Sequence, residues 1–168
     1  MNTLEIIHFN KSHWSDIKTI YEEGIATGLA TFETKPPSWE EWNKNHLEIC
    51  RLACIIENEI CGWAALSPVS RREVYKGVCE VTIYISDNHR GKGIGDFLLK
   101  ALIQQSEANG IWTLQAGIFS DNEASIKLHL KNGFRIIGSR EKIGQLNGVW
   151  KDTVLMERRS KVVNFILD

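Results

Sequence analysis

Two hydrophobic periods alternate along this chain, one of two residues and one near that of a helix, and they divide it into short strands and amphipathic helices. Leu4 to Phe9 reads as a first strand, and Ile17, Ile20, Tyr21 and Ile25 recur at helical spacing behind a cap near Ser12, with Gly24 and Gly28 weakening the helix end. Pro36 and Pro37 exclude helix from the Thr31 to Pro37 stretch, after which Ser38-x-x-Glu41 forms a capping box for a short helix bearing Trp39 and Trp42. Arg51 to Glu57 and Ile60 to Leu66 predict a hairpin around Asn58, and Ser67 to Lys76 links it to a fourth strand, Gly77 to Ser86. Ile94, Phe97, Leu98, Ala101 and Leu102 mark the packed face of a helix that Gly110 ends. Ile111 to Ile118 gives a fifth strand. Phe134 to Gly138 and Val149 to Arg158 give two more, separated by a loop containing Gly144, Asn147 and Gly148.

A chain of 168 residues suits one domain with a core large enough to fold without disulfides. The net charge of -1 gives no bulk electrostatic case for nucleic acid or an anionic membrane, so any basic site must be local. No apolar run approaches the roughly twenty residues that span a bilayer, and Met1 to Glu5 lacks a basic leader segment, so a cytoplasmic protein is expected. Cysteines 50, 54, 61 and 79 occupy apolar or strand-like settings without a C-x-x-C or a histidine at zinc-ligand spacing. They read as reduced, mostly buried small hydrophobes, and no metal site is expected.

The chemistry concentrates in Asp87-Asn88-His89-Arg90-Gly91-Lys92-Gly93-Ile94-Gly95, a glycine-rich turn between a strand and a helix. Such a turn exposes successive N–H groups, and the helix start adds unpaired donors and the positive end of its dipole, a setting suited to pyrophosphate. Arg90 and Lys92 add positive charge there. By itself the pattern also fits a plain strand-to-helix turn. The spacing is not that of a P-loop, and a dinucleotide fold would want an acidic residue near position 115, where Gln115 stands. Farther on, Asn122, Ser125 and His129 share one helix face beside a neighbouring face of Ala124, Ile126, Leu128 and Leu130, with Gly133 as a left-handed cap. That polar face is either solvated or part of a site.

Together these two segments resemble the coenzyme signatures of the GCN5-related N-acetyltransferases: R-G-x-G-[IVL]-G after Val81-Thr82-Ile83-Tyr84-Ile85, and N-x-x-[AS]-[IV]-x-L-[YH]-x-x-x-G-F over Asn122 to Phe134. The resemblance implies an α/β (α+β) fold over about residues 3–159 of one domain spanning 1–168, with 160–168 as a tail. It implies a mixed central sheet of about seven strands, splayed between the fourth and fifth, flanked by about four helices. Acetyl-CoA is the implied co-substrate. Its pantetheine arm would run like an added strand against main-chain groups of Ile83 and Ile85, its pyrophosphate on Arg90, Gly91, Lys92, Gly93 and Gly95, and its thioester region near Asn122 and Ser125.

Acetyl transfer to an amine needs positioning, a deprotonated acceptor, donors for the developing oxyanion and a proton for the leaving thiolate. Glu80, among apolar and β-branched residues, is a candidate base if buried, since burial raises a carboxylate pKa; an edge-strand or salt-bridged glutamate is the alternative. It matches the glutamate of E-x-[ST]-[IV]-Y-[IV] that is the proposed base, directly or through water, in the phosphinothricin acetyltransferase branch. His129 stands where many relatives have a tyrosine thought to protonate the thiolate, and it also occurs in that branch; as imidazolium it can donate, as imidazole it can relay a proton.

Thr27-Gly28-x-Ala30-Thr31-Phe32-Glu33-Thr34-x-Pro36-Pro37 resembles the acceptor loop of phosphinothricin and methionine sulfoximine acetyltransferases. The resemblance makes Phe32 an apolar wall and Glu33 a partner for an ammonium group. Arg72-x-x-Tyr75 falls where that branch often has R-P-A-Y, and an arginine there can clamp a carboxylate or phosphinate, although Glu73-Val74 replaces Pro-Ala. Gly148-Val149-Trp150-x-Asp152 resembles a further branch segment, with Trp150 as pocket wall or interface. The implied activity is N-acetylation of the α-amine of a small amino acid-like acceptor. Rivals are acetylation of a protein N-terminus or another small amine, and a non-catalytic acyl-CoA sensor. A homodimer is also implied, and tryptophans at 14, 39, 42, 63, 112 and 150 are more than one small core readily accommodates.

Overall fold

Period-two runs become strands and helical-period runs become helices in the computed structural model, which describes residues 3–164. In chain order these are β1 (Glu5–His8), α1 (Trp14–Ala26), α2 (Trp39–Asn45), β2 (Leu52–Ile56), β3 (Glu59–Pro68), β4 (Val78–Ile85), α3 (Ile94–Ala108), β5 (Thr113–Phe119), α4 (Glu123–Lys131), β6 (Arg135–Leu146) and β7 (Val149–Arg159). The seven strands form one sheet in the order β1-β2-β3-β4-β5-β7-β6. All neighbours are antiparallel except β4 and β5.

That parallel pair opens the molecule. Pairing joins only Val78, Cys79 and Glu80 to Thr113, Leu114 and Gln115. Beyond Glu80, β4 stays paired with β3 as far as Ile85, while β5 stays paired with β7 as far as Phe119. The two halves of the sheet therefore diverge, producing the splay expected between the fourth and fifth strands. Opposite faces of the sheet carry separate cores. Leu98, Leu99 and Leu102 of α3 pack with Cys50, Leu52, Leu66, Leu114 and Met156, whereas Ile17 and Ile20 of α1 and Trp42 of α2 pack with Phe9, Ala53 and Trp63. All four cysteines are free and buried, and burial pushes the Cys50 and Cys79 thiols up to about 11.

The expected capping box at α2 is present: Ser38 Oγ accepts from Glu41 N at 3.2 Å, and Glu41 Oε2 accepts from Ser38 N at 3.0 Å. Other expectations need correction. Asn10, not Ser12, caps the first helical segment, because its Oδ1 accepts from Ser12 N at 2.9 Å at the head of a 3-10 turn. Phe97 is 37% exposed, since the buried stripe of α3 runs through Ile94, Leu98, Leu99, Leu102 and Ile103 and leaves Phe97 at its margin. The sixth strand does not end at Gly138 but continues to Leu146, so Gly144 lies inside β6 and only Asn147-Gly148 forms the turn. In the expected tail, Ser160 is buried and donates its N–H to Trp112 O at 2.8 Å. Residues 165–168 of that tail lie outside the described residues.

Candidate active site

The splay holds two connected hollows. On one side lies a groove of about 480 Å³ over the glycine turn, lined by residues that include Thr27, Leu29, Ile83, Ile85, Arg90, Gly91, Gly93, Gly95 and Leu128. On the other lies a cavity of about 510 Å³ that takes in Phe32, Glu33, Glu80, Phe119, His129 and Arg140. Ala30, Ile83, Tyr84, Asn122 and Ser125 line both, so the hollows meet between β4 and the N-terminus of α4.

The groove is built for a long ligand with an anionic section. Gly91 and Gly93 adopt φ values of 72° and 80°, where an L side chain is strained, and nothing stands within 4 Å of a Cβ built on either. Gly93 caps α3 with no side-chain hydrogen bond, leaving the first N–H groups of a fifteen-residue helix for a ligand. Arg90 lines the groove and is held by Asp87 through Nη2 at 2.7 Å and by Ile85 O through Nε at 3.3 Å. Lys92 is exposed in the same turn but is not part of the lining. The helices flanking the groove are tied together at Asp96 of α3, whose oxygens accept from Lys100, Asn132 and Lys131 at 2.8, 2.9 and 3.0 Å. Those bonds hold its carboxyl well below the usual carboxylate range.

At the junction, Asn122 is already engaged. Its Oδ1 accepts from Ser125 N at 3.2 Å as the cap of α4, and its Nδ2 donates to Leu29 O at 3.0 Å, pinning the loop after α1 to that helix. One turn on, His129 is buried, and its Nδ1 donates to Ser125 O at 2.7 Å. This bond fixes the tautomer with the proton on Nδ1 and a lone pair on Nε2, which is buried without a partner. Burial also pulls the imidazole below its ordinary pKa, so near neutral pH it is a proton acceptor. Of the two protonation states open in the sequence, this geometry favours the neutral one.

Glu80 occupies the last rung of the β4–β5 pairing and lines the cavity. Of the two settings open for it in the sequence, the buried one is not found: Glu80 is exposed, because the strands part directly beyond it, and its Oε2 accepts from Gln115 Nε2 at 3.2 Å. Tyr21, Tyr84 and Trp63 form the aromatic flank, with ring centroids 4.9 Å apart for the tyrosines and 5.1 Å for Trp63 and Tyr84. Burial pushes the Tyr84 phenol well up, which keeps it neutral. Phe32 packs edge-on against Phe119 at 4.7 Å, and Glu33 stands beside it in the lining.

A sequence profile described as "Acetyltransferase (GNAT) family" matches residues 14–134. The chain belongs to the GNAT family. It is 39% identical over 147 residues to an L-methionine sulfoximine/L-methionine sulfone acetyltransferase of Pseudomonas paraeruginosa, covering 84% of this chain and 86% of that protein. A phosphinothricin N-acetyltransferase of Streptomyces coelicolor is 33% identical over 147 residues, covering 83% and 86%. The crystal structure of a GNAT phosphinothricin acetyltransferase from Sinorhizobium meliloti, in complex with AcCoA, superposes with a TM-score of 0.86 at 29% identity, covering 98% of this chain and 92% of that one. The groove of this GNAT chain fits that coenzyme on its own chemistry. Open left-handed glycines and free helix-start donors suit a pyrophosphate, and Leu29, Ile83, Ile85 and Leu128 suit the methylene segments of an arm whose amides can meet main-chain groups on the way to Ser125 and His129.

Arg72, Tyr75 and Trp150 are not brought to either hollow. The β3–β4 pairing runs on to Pro68 and Cys79, which carries the linker past the end of the sheet, where the Arg72 guanidinium lies 5.3 Å from the Tyr75 ring. Trp150 is 54% exposed on the β6–β7 hairpin. Conversely, Arg140, Ile143, Thr153, His46 and Gln115 were missed. Arg140 pairs with Thr153 at the rung where regular register ends, and Ile143 lies within the irregularity that follows: register shifts between Arg140 and Gly144, and Lys142 at φ 44° donates its N–H to Asp152 Oδ1 at 2.7 Å. In this GNAT chain Gly144 lets the Phe32 ring approach closely: a Cβ at 144 would lie 2.9 Å from it and would require the ring to shift. The one signal in the sequence was Gly144 followed by the G-x-W-x-D segment.

Proposed function

We propose that this protein transfers the acetyl group of acetyl-CoA to the α-amine of a small amino acid-like acceptor of the methionine sulfoximine, methionine sulfone or phosphinothricin type. The carrying observation is that the coenzyme-shaped groove and the polar-walled cavity meet at Ile83, Asn122 and Ser125, beside an unpartnered imidazole nitrogen. The acceptor class is supported by the matching acceptor loop, Thr27 to Pro37, and by the activities named for the relatives.

Bound acetyl-CoA supplies an acetyl thioester. Gly91, Gly93, Gly95, Arg90 and Lys92 hold its pyrophosphate, and main-chain groups of Ile83 and Ile85 align its arm along β4. Ser125 contributes hydrogen bonding near the thioester, while Asn122 holds the cap and loop between which the arm passes. Phe32 forms an apolar wall for the acceptor, and Glu33 attracts its ammonium group. Glu80 takes the proton from the ammonium through an ordered water, leaving a free amine, and the Nε2 lone pair of His129 relays the proton released as the new amide forms. Once protonated, His129 can return that proton to the departing sulfur, so one side chain serves both ends of the transfer.

Assembly as a homodimer belongs to the same reading, supported by Ile136, Ile137, Val149 and Trp150, all exposed on the hairpin at the sheet edge. A cytoplasmic site of action fits four free thiols and an acyl-CoA co-substrate. The test is a thiol-release assay across amino acid analogues, polyamines, aminoglycosides and N-terminal peptides. Preferred turnover of methionine sulfone, methionine sulfoximine or phosphinothricin is expected. Preferred turnover of peptides would move the acceptor to a protein N-terminus, and coenzyme binding without transfer to any amine would make the protein a sensor.

A further inference from the structure

Among the residues lining the acceptor cavity, Arg140 is the only lysine or arginine, and its guanidinium has no hydrogen bond or ion pair to another described residue. Its position is not accidental to the fold. Arg140 opposes Thr153 of β7 at the last regular rung before the β6 irregularity. From there its side chain reaches across β7 to β5, where its Nη2 lies 3.7 Å from the place of a Cβ on Gly117. A Cβ at 117 would sit in ordinary van der Waals contact with that guanidinium, so the side chain lies directly over Gly117. Gln115, two residues earlier on the same face of β5, holds the Glu80 carboxylate. A cation and an anion thus stand over one face of β5, above backbone positions about 7 Å apart.

We propose that Arg140 binds the α-carboxylate of the acceptor and so determines specificity for amino acids over simple amines. The proposal rests on the acceptor class given above and deepens it. An α-amino acid carries a carboxylate and an ammonium on one carbon, and this wall of the cavity offers the complementary pair: a guanidinium free to make two parallel hydrogen bonds, and a carboxylate that reaches the ammonium through a water. Arg72 does not line the cavity, and its guanidinium lies over the Tyr75 ring outside it. With the carboxylate clamped to Arg140, the amine is directed to the junction at Ser125 and His129, and the remainder of the acceptor side chain extends toward the aromatic flank of Tyr21, Trp63 and Tyr84.

The test compares two acceptors within each variant: methionine sulfone, and the amine that lacks only its carboxylate. In wild-type protein the amino acid is preferred in kcat/KM. In Arg140→Gln that preference falls by about ten- to a hundredfold, the ratio corresponding to a charge-assisted hydrogen-bonded pair, and Arg140→Lys restores part of it. Because the readout is a ratio within one variant, loss of folded protein cancels. An unchanged preference in Arg140→Gln would overturn the assignment, as would a collapse of the preference in Arg72→Gln alone. Failure of the wild-type protein to acetylate any amino acid would instead remove the acceptor class, and this assignment with it.

Discussion

Replacing Arg51 by methionine tests whether the acceptor cavity depends on a strut behind its wall. Arg51 is 6% exposed, and it binds the chain just beyond and within α2: Nε to Leu47 O at 2.6 Å, Nη1 to Asn43 Oδ1 at 2.6 Å, and Nη2 to His46 O at 3.0 Å and Asn43 O at 3.3 Å. Its guanidinium also lies 5.2 Å from the Trp42 ring. Asn43 O and His46 O are helix-end carbonyls that no further turn satisfies, so the arginine serves as a C-terminal cap for a helix of only seven residues while also holding the Asn43 side chain and the chain at Leu47. Methionine keeps most of the volume and removes every donor. Hydrogen bonds to a charged group are each worth about 1.5–3 kcal/mol and do not add, and partial rehydration recovers some, so a loss of about 3–5 kcal/mol is expected. For a chain of this size each kcal/mol shifts Tm by about 2–4 °C, which places the fall near 10 °C. Trp42 and His46 line the acceptor cavity but not the groove, so KM for the acceptor should rise while KM for acetyl-CoA holds. Calorimetry with steady-state kinetics reads both quantities. A Tm change under about 2 °C, or equal effects on the two KM values, would refute the reasoning.

Glu80→Gln removes the proposed base while keeping a hydrogen-bonding partner for Gln115, and kcat/KM for the acceptor should fall by roughly a hundredfold with coenzyme affinity preserved, measured by stopped-time thiol release and equilibrium binding. A near-wild-type rate would mean that positioning alone carries the reaction. Burial holds both His129 and His46 below their ordinary 6.5, so the unfolded chain binds protons there more readily than the folded one; their contribution to stability is present above about pH 6.5 and is lost as pH falls below it. Denaturant melts on either side of that value should show a smaller acid loss in His129→Gln than in the wild type. Sedimentation should report a dimer at micromolar concentration, and Trp150→Glu should weaken it; a wild-type monomer would contradict the assembly.

Sequence and structure agree where local chemistry decides the outcome. The capping box at Ser38 and Glu41, the glycine turn and the short strands with one buried face all follow from propensities and periods visible within a few residues. The chain was less legible where an element has no buried face to announce it. Every residue from Arg135 to Lys142 is exposed, so β6 lacks the alternation that would have shown its length, and with its end went Arg140 and Ile143. Glu80 was open for a related reason: its apolar neighbours in sequence could not decide between a buried and an exposed setting, because exposure was set by the parting of β4 from β5, a consequence of β7 pairing far along the chain. Arg72 and Trp150 carried motif resemblance without the tertiary path that would bring them to the cavity within one chain.

Transfer across the junction of the two hollows is best tested by following the acetyl group itself. Isotope-labelled acetyl-CoA and methionine sulfoximine, incubated with the protein and read by NMR, should give the α-N-acetyl product in an amount equal to the free coenzyme A released. Coenzyme A release without labelled amide, or label on the sulfoximine nitrogen, would contradict the account.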